Sequence, residues 1–330
     1  MRRTPALIVA AAVAAVLASS LAGCSTGGTG GCTPAYSSGG ASKLVTATGA
    51  VGTAPKVDFP TPLVTDGTQQ STIVEGTGDP IPDRGTVDFE ATVLDGKTGA
   101  PFLASAYTDN PVRYIAAGAK YTLNQSLMCA KTGERYALTS TAAAAFGKGA
   151  LSGQYGIADD DTIVLVIDIV ANYLGKANGL NQLPQDGMPT VVTAVDGQPG
   201  IQVPPTKPPT STRIETVKAG GGAEVKDGDT VVVNYTGWTW PTTVGDVPSQ
   251  FDGTWDAGKV PVNVIAKQGA NTTLTLPAGF IDAITGAKVG SQVQVVIPPK
   301  DGFGSVTPPS GVEATSTLIY VIDILGIVKK

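Results

Sequence analysis

The residues best suited to chemistry lie in the C-terminal third of the chain. They are Val231-Val232-Val233-Asn234-Tyr235-Thr236-Gly237, then Phe251-Asp252, Phe303-Gly304 and Thr317-Leu318-Ile319-Tyr320. In this order they set four aromatics (Tyr235, Phe251, Phe303 and Tyr320) and one acid (Asp252) around a single apolar pocket. No obvious nucleophile or metal-ligand cluster accompanies them. Rotation about an X-Pro peptide bond is one of the few reactions that suits such a pocket. Its barrier, ~18–20 kcal/mol, comes from resonance in the C–N bond. Resonance also places charge on the amide oxygen and nitrogen, so water favours the planar ground state. A pocket that withdraws this solvation prefers the twisted, less charge-separated amide. No proton need be abstracted.

Other chemistries find little support. The chain of 330 residues has no histidine, which removes the commonest general base and metal ligand. Its net charge is −5 and charged residues make up only 15% of it, with no basic run to mark a nucleic-acid surface. Asp159-Asp160-Asp161 lacks the alternating oxygen spacing of a hard-cation site and reads as a solvated turn. Gly220-Gly221-Gly222 is not followed by a helix and Lys-Ser/Thr, so it reads as a turn rather than a phosphate loop. No metal and no cofactor are expected. Trp238, Trp240 and Trp255 suit the pocket mouth, a partner surface or local packing.

The elements that must position the pocket follow from periodicity and punctuation. Thr230–Tyr235, Gln292–Ile297 and Leu318–Leu325 are β-rich runs separated by Gly, Pro and Asp turns, which suggests an antiparallel sheet. One short helix interrupts it. Pro277 suits a first helical position, Phe280, Ile281 and Ile284 fall at helical spacing, and Gly286 suits the stop. A helix of about two turns cannot stand alone. It must lay its apolar face on the sheet, and the pocket forms along that seam.

The chain also repeats itself. Val74–Gly78 with Thr86–Phe89 parallels Lys218–Gly222 with Thr230–Val233; Leu123–Gly133 parallels Phe280–Gly290; Thr162–Ile169 parallels Thr317–Ile324. A tandem duplication explains three blocks in the same order. In the first copy Ala91 takes the place of Tyr235, Leu103 of Asp252, Leu123 of Phe280 and Leu165 of Tyr320. Only Phe102 and Phe146 keep the aromatic pattern, so this copy is expected to be catalytically silent.

Ahead of both copies, Arg2, Arg3 and the apolar run Ala6–Leu17 read as a secretory signal. Leu21-Ala22-Gly23-Cys24 resembles a bacterial lipobox, whose cysteine would be lipidated and held on the outer face of a membrane. Cys32 and Cys129 remain, an even number for an oxidising compartment. A disulfide between them would close a loop of about 97 residues and stabilise by roughly 4 kcal/mol on chain-entropy estimates. Composition then divides the chain into a signal peptide (1–23), a lipidated cysteine and flexible tether (24–54), a first domain (55–178), a Pro/Gly-rich linker (179–212) whose Val203–Pro209 reads as a stiff spacer, and a second domain (213–330).

Residues 213–330 resemble the FK506-binding-protein type of peptidyl-prolyl cis-trans isomerase. The resemblance rests on Val232–Gly237, Phe251-Asp252, Ala287–Ser291, Ile297–Pro299, Gly302–Gly304 and Thr317–Tyr320 with Asp323. It implies an α+β fold class of two tandem domains, each a curved antiparallel sheet wrapped round one short helix. It also implies pocket walls of Tyr235, Phe251, Val262, Leu276, Phe303 and Tyr320, a floor of Phe280 where the family usually has tryptophan, and Asp252 hydrogen-bonded to Tyr235. The backbone N–H that usually meets the substrate carbonyl falls on Pro277, which has none, or on Leu276, depending on where a gap is placed. The partners implied are proline-containing exported polypeptides and macrolide ligands. The competing reading is a non-catalytic peptide-binding or chaperone lipoprotein with a vestigial pocket.

Overall fold

The computed structural model describes residues 32–108, 110–116, 121–303 and 308–329. The chain divides into two units, Met1–Thr33 and Pro34–Lys330, and every element below lies in the second. The signal segment and Cys24 fall outside the described residues, as does Gly304. Cys32 and Cys129 are both disulfide-bonded, as their count suggested.

In chain order a hairpin of β1 (Thr46–Thr48) and β2 (Lys56–Asp58) precedes β3 (Gln69–Val74), β4 (Thr86–Asp95), β5 (Pro101–Ala104) and β6 (Val112–Ile115). Helix α1 (Thr122–Ser126), β7 (Arg135–Thr141), helices α2 (Ala142–Phe146) and α3 (Ser152–Tyr155), and β8 (Thr162–Tyr173) complete the first half. The second half opens with β9 (Leu180–Asn181) and a hairpin of β10 (Thr190–Thr193) and β11 (Pro199–Gln202). It continues with β12 (Arg213–Ala219), β13 (Thr230–Thr239), β14 (Ser249–Gly253), β15 (Val262–Ile265), helix α4 (Ala278–Ile284), β16 (Gln292–Ile297) and β17 (Leu318–Ile327).

The two antiparallel sheets share one connectivity. The first runs β3-β7-β8-β4-β5 and the second β12-β16-β17-β13-β14; β6 and β15 share the outer edge of the long strand in each. The correspondence extends to single residues. Thr46 of β1 recurs as Thr190 of β10, Gln69 of β3 as Arg213 of β12 and Thr86 of β4 as Thr230 of β13, each 144 positions on. The irregularities recur at the same spacing: Thr72/Val74 against Thr216/Lys218, and Asp88/Phe89 against Val232/Val233. The repeated unit is therefore a hairpin plus a helix-bearing sheet.

Hairpins stand within the stretches expected as a flexible tether (24–54, described from residue 32) and as a Pro/Gly-rich linker (179–212). Ala41, Val45, Ala47 and Phe59 are buried against Ala137, Val164 and Val166 on the outer face of the first sheet. Arg135, fully buried, holds the same segment by donating to the carbonyls of Gly49, Ala50 and Thr53, and is paired with Asp168 at 2.5 Å. On the second sheet, Met188, Val191, Ile201 and Val203 cover Trp238, Trp240, Val296, Ile319 and Val321. The Gly-, Ser- and Pro-rich composition suggested free chain, but the small side chains let backbone lie close to a sheet face. With both faces covered, β17 is buried from Leu318 to Gly326 and loses the alternation of a half-exposed strand. Trp238 and Trp240 are thereby packing residues of the outer face, not of a pocket mouth.

Helix α4 begins one residue later than expected, because Pro277 has extended backbone (φ −70°, ψ 155°) and sits at the cap. Gly286, with φ +80°, closes the helix end as a left-handed residue. Phe280, Ile281 and Ile284 point into the second core with Val233, Val295 and Ile322. Among the described residues the first half carries three short α-helices where one was expected.

Candidate functional site

Register on β13 decides where the site lies. Tyr235 pairs with Ile322 and Gly237 with Tyr320, so alternate residues of β13 and β17 present Val233, Tyr235, Tyr320 and Ile322 to α4. Tyr235, Phe280 and Tyr320 are 3%, 0% and 1% exposed and form the floor of an aromatic cup. The Phe280 ring stands edge-on to Tyr235 at 5.4 Å and to Tyr320 at 5.2 Å. Tyr320 is also edge-on to Phe251 at 5.6 Å. These spacings lie in the favourable range for aromatic pairs. Phe251, Val262, Leu276 and Phe303 are half-buried around this floor and pack against it. Phe280 keeps the floor aromatic.

The acid is oriented from two sides. The Tyr235 hydroxyl donates to Asp252 Oδ2 at 2.6 Å, and the Gly253 N–H donates to Asp252 Oδ1 at 2.8 Å. Burial, reinforced by the neighbouring carboxylate, pushes the Tyr235 phenol well above its ordinary range. Tyr320 is raised too, by burial first and then by Tyr235 and Asp252. Both remain neutral hydroxyls at physiological pH, donors rather than bases.

Two residues complete the arrangement without having been singled out by type. Gly237 lies on the same strand face as Tyr235, two residues on. A Cβ there would stand 2.8 Å from both Phe251 Cζ and Tyr320 Cε1, so only glycine lets the two rings close over the strand. Its signal in the sequence is position alone: a glycine at i+2 from a pocket tyrosine. Thr254 clamps the strand pair, its Oγ1 accepting from the Tyr235 N–H at 2.9 Å and donating to Asn234 Oδ1. No feature of the sequence marks it.

At the head of α4, the Pro277 carbonyl accepts from the Phe280 N–H at 3.0 Å. The Leu276 N–H donates to no group among the described residues. A backbone donor therefore stands at Leu276, beside the cup, where Pro277 offers none.

Among its described residues the first half forms no such cup. Ala91 pairs with Ile167 and Leu165 with Val93, matching the registers of Tyr235 and Tyr320, and Leu103 takes the place of Asp252. The seam is filled instead by Leu123, Phe146, Leu151 and Tyr155, with Phe102 at 5.0 Å from Tyr155. Among the described residues no group of acids, cysteines or histidines is arranged to hold a metal. Asp161 pairs with Lys97 and Asp159 accepts from the Gly149 N–H, as befits a turn.

Comparison with known proteins places these features in context. Residues 221–325 match the family described as FKBP-type peptidyl-prolyl cis-trans isomerase. A probable FK506-binding protein of Corynebacterium glutamicum is 32% identical over 135 residues, 39% of this chain and 98% of that protein. The FKBP-type peptidyl-prolyl cis-trans isomerase FkpA of Escherichia coli K12 is 31% identical over 113 residues, 34% of this chain but only 36% of FkpA. Among solved structures, the three FKBP domains of wheat FKBP73 align over 80% of this chain and 96% of that one, at 18% identity and a TM-score of 0.34.

Proposed function

The chain belongs to the FKBP-type peptidyl-prolyl cis-trans isomerases, and from that membership we propose that catalysis resides in the aromatic cup of its second half. The observation that carries this reading is the asymmetry of the repeat. Two sheets share one connectivity, yet Tyr235, Phe280, Tyr320 and the Tyr235–Asp252 hydrogen bond occur in the second alone. The chain is thus a tandem of two FKBP-like domains, each with its own hairpin, of which the first is a silent copy.

In this reading the proline ring of the substrate sits against Tyr235, Phe280 and Tyr320, and Phe251, Val262, Leu276 and Phe303 exclude water. The Leu276 N–H takes the carbonyl oxygen before the proline. Desolvation disfavours the charge-separated planar amide and the twisted form gains by comparison. Tyr235 and Asp252 hold the cup's shape through their hydrogen bond. Uncatalysed exchange takes roughly 10–100 s, slow enough to limit folding of a client.

The place of action is also part of the proposal. The basic-apolar segment ahead of Cys24 supports a lipid-anchored protein on the extracytoplasmic face, and the bonded Cys32 and Cys129 suit that oxidising setting. Its clients are then exported polypeptides containing X-Pro bonds, and macrolides that enter the cup are its inhibitors.

A protease-coupled X-Pro peptide assay on the full chain tests the assignment. Each buried aromatic face removed is worth about 1.5–3 kcal/mol, roughly ten- to a hundredfold in rate. Tyr235→Ala with Phe303→Ala should abolish measurable acceleration. Full rate in that variant, with its fold intact by circular dichroism, would remove the cup from the mechanism.

A further inference from the structure

The outer wall of the cup borders a second space. A cleft of about 290 Å³ opens beside it, between the two sheets. Val262 and Leu274 line the cleft and also pack against the core cluster that holds Tyr235, Phe280 and Tyr320, so cleft and cup share that wall. The opposite wall comes from the first domain: Asp88, Asn110, Pro111 and Arg113.

The walls are fixed to each other. Arg113 is paired with Asp88 through two bonds of 2.6 Å, reaches the Pro261 carbonyl at 3.3 Å and donates to Asn263 Oδ1 at 2.7 Å. Its guanidinium also lies 5.4 Å from the centre of the Tyr173 ring. Further along the junction, the Leu174 N–H donates to the Leu325 carbonyl and the Ala177 N–H to Asp323. A site held this way loses little ordering entropy when filled.

Resting on the isomerase reading above, we propose that this cleft is an extended subsite for the substrate chain flanking the proline, and that the first domain supplies half of it. The lining chemistry suits an uncharged, extended peptide. Asp88 and Arg113 neutralise each other, while Pro111, Pro261, Val262 and Leu274 offer apolar surface. With Oδ1 taken by Arg113, the Asn263 amide N–H groups make no bond among the described residues, and Thr273 adds a hydroxyl. These suit backbone carbonyls. The volume lies near the lower end for ligand sites, about 300 Å³, and holds a short stretch of chain. A first domain without a cup of its own thereby acts in specificity.

The test compares two substrates on the full-length protein: a blocked X-Pro core that fills only the cup, and the same core extended on both sides by apolar and uncharged residues. Asn110→Trp fills the cleft from the first domain, and Asn263→Ala removes its amide from the second. The quantity read is the ratio of kcat/KM for the long over the short substrate. It should exceed one in the wild type and fall roughly three- to tenfold in either variant, the effect of losing one or two hydrogen bonds. A ratio unchanged in both variants would overturn the subsite while leaving the isomerase standing. A wild type that accelerates neither substrate would overturn the isomerase reading, and the subsite with it.

Discussion

Gly237→Ala tests the aromatic cup through a single methyl group. The added Cβ would lie 2.8 Å from Tyr320 Cε1 and from Phe251 Cζ, and 3.1 Å from Phe251 Cε2. Optimal carbon–carbon separations are about 3.5–4.0 Å, so both rings must retreat by more than half an ångström. Phe251 is half-buried and can swing outward. Tyr320 cannot, since it is 1% exposed and held between Phe280 at 5.2 Å and Tyr235 at 6.1 Å. Overpacking of this kind destabilises by about 1–3 kcal/mol, and displacement of two cup walls should lower kcat/KM by at least about tenfold. Denaturant unfolding and the X-Pro assay would be run on Gly237→Ala, Phe251→Leu and the double variant. Because the clash is shared with Phe251, the smaller leucine should restore part of the lost stability. The double variant should then be more stable than the sum of the singles predicts by about 0.5 kcal/mol or more. A neutral Gly237→Ala, or strict additivity, would refute the packing of rings over the strand at this residue.

Two further predictions concern the joints around the domains. Burial raises Asp323 to about 6 from the ordinary 3.8, against the opposing bonds from Ala177 and Gln292. Between these values the folded chain holds a proton that the unfolded chain has released, so stability from this group grows as pH falls through 6. The gain reaches about 3 kcal/mol at most. It should appear as a Tm that rises from pH 7.5 to 5 relative to Asp323→Asn; parallel profiles would contradict it. In the first domain, Arg135→Met strands a fully buried Asp168, which typically costs about 3–5 kcal/mol. The companion Asp168→Leu should recover most of that in the double variant, as read by thermal unfolding; no recovery would place the cost in the lost bonds to Gly49, Ala50 and Thr53 and not in the stranded carboxylate.

How much of this could be read in the residues depended on whether a side chain's role was local. The sheet and short helix followed from β-rich runs and from Phe280, Ile281 and Ile284 at helical spacing, and the order Tyr235, Phe251-Asp252, Phe303, Tyr320 marked the cup. The outer-face hairpins were not legible. Gly, Ser, Ala and Pro along 34–54 and 179–203 have the composition of a linker, and what folds them is a surface supplied by distant strands. Arg135 carried no mark in the sequence, and Trp238 suited a pocket mouth, a partner surface or local packing until register placed each under a hairpin. Gly237 showed only as part of a strand motif, because its role lies in two rings far along the chain. The cleft beside Val262 escaped altogether, since it needs both domains in place.

Whether the aromatic cup catalyses can be read by exchange NMR of an X-Pro peptide with catalytic amounts of the full-length protein, combined with a titration followed at assigned signals. Accelerated cis–trans exchange is expected, with shifts at Tyr235, Phe280, Tyr320 and the Leu276 N–H and none at Ala91, Leu103 or Leu165. Accelerated exchange with shifts centred on the first domain would contradict it, as would peptide binding at the cup with no acceleration at all.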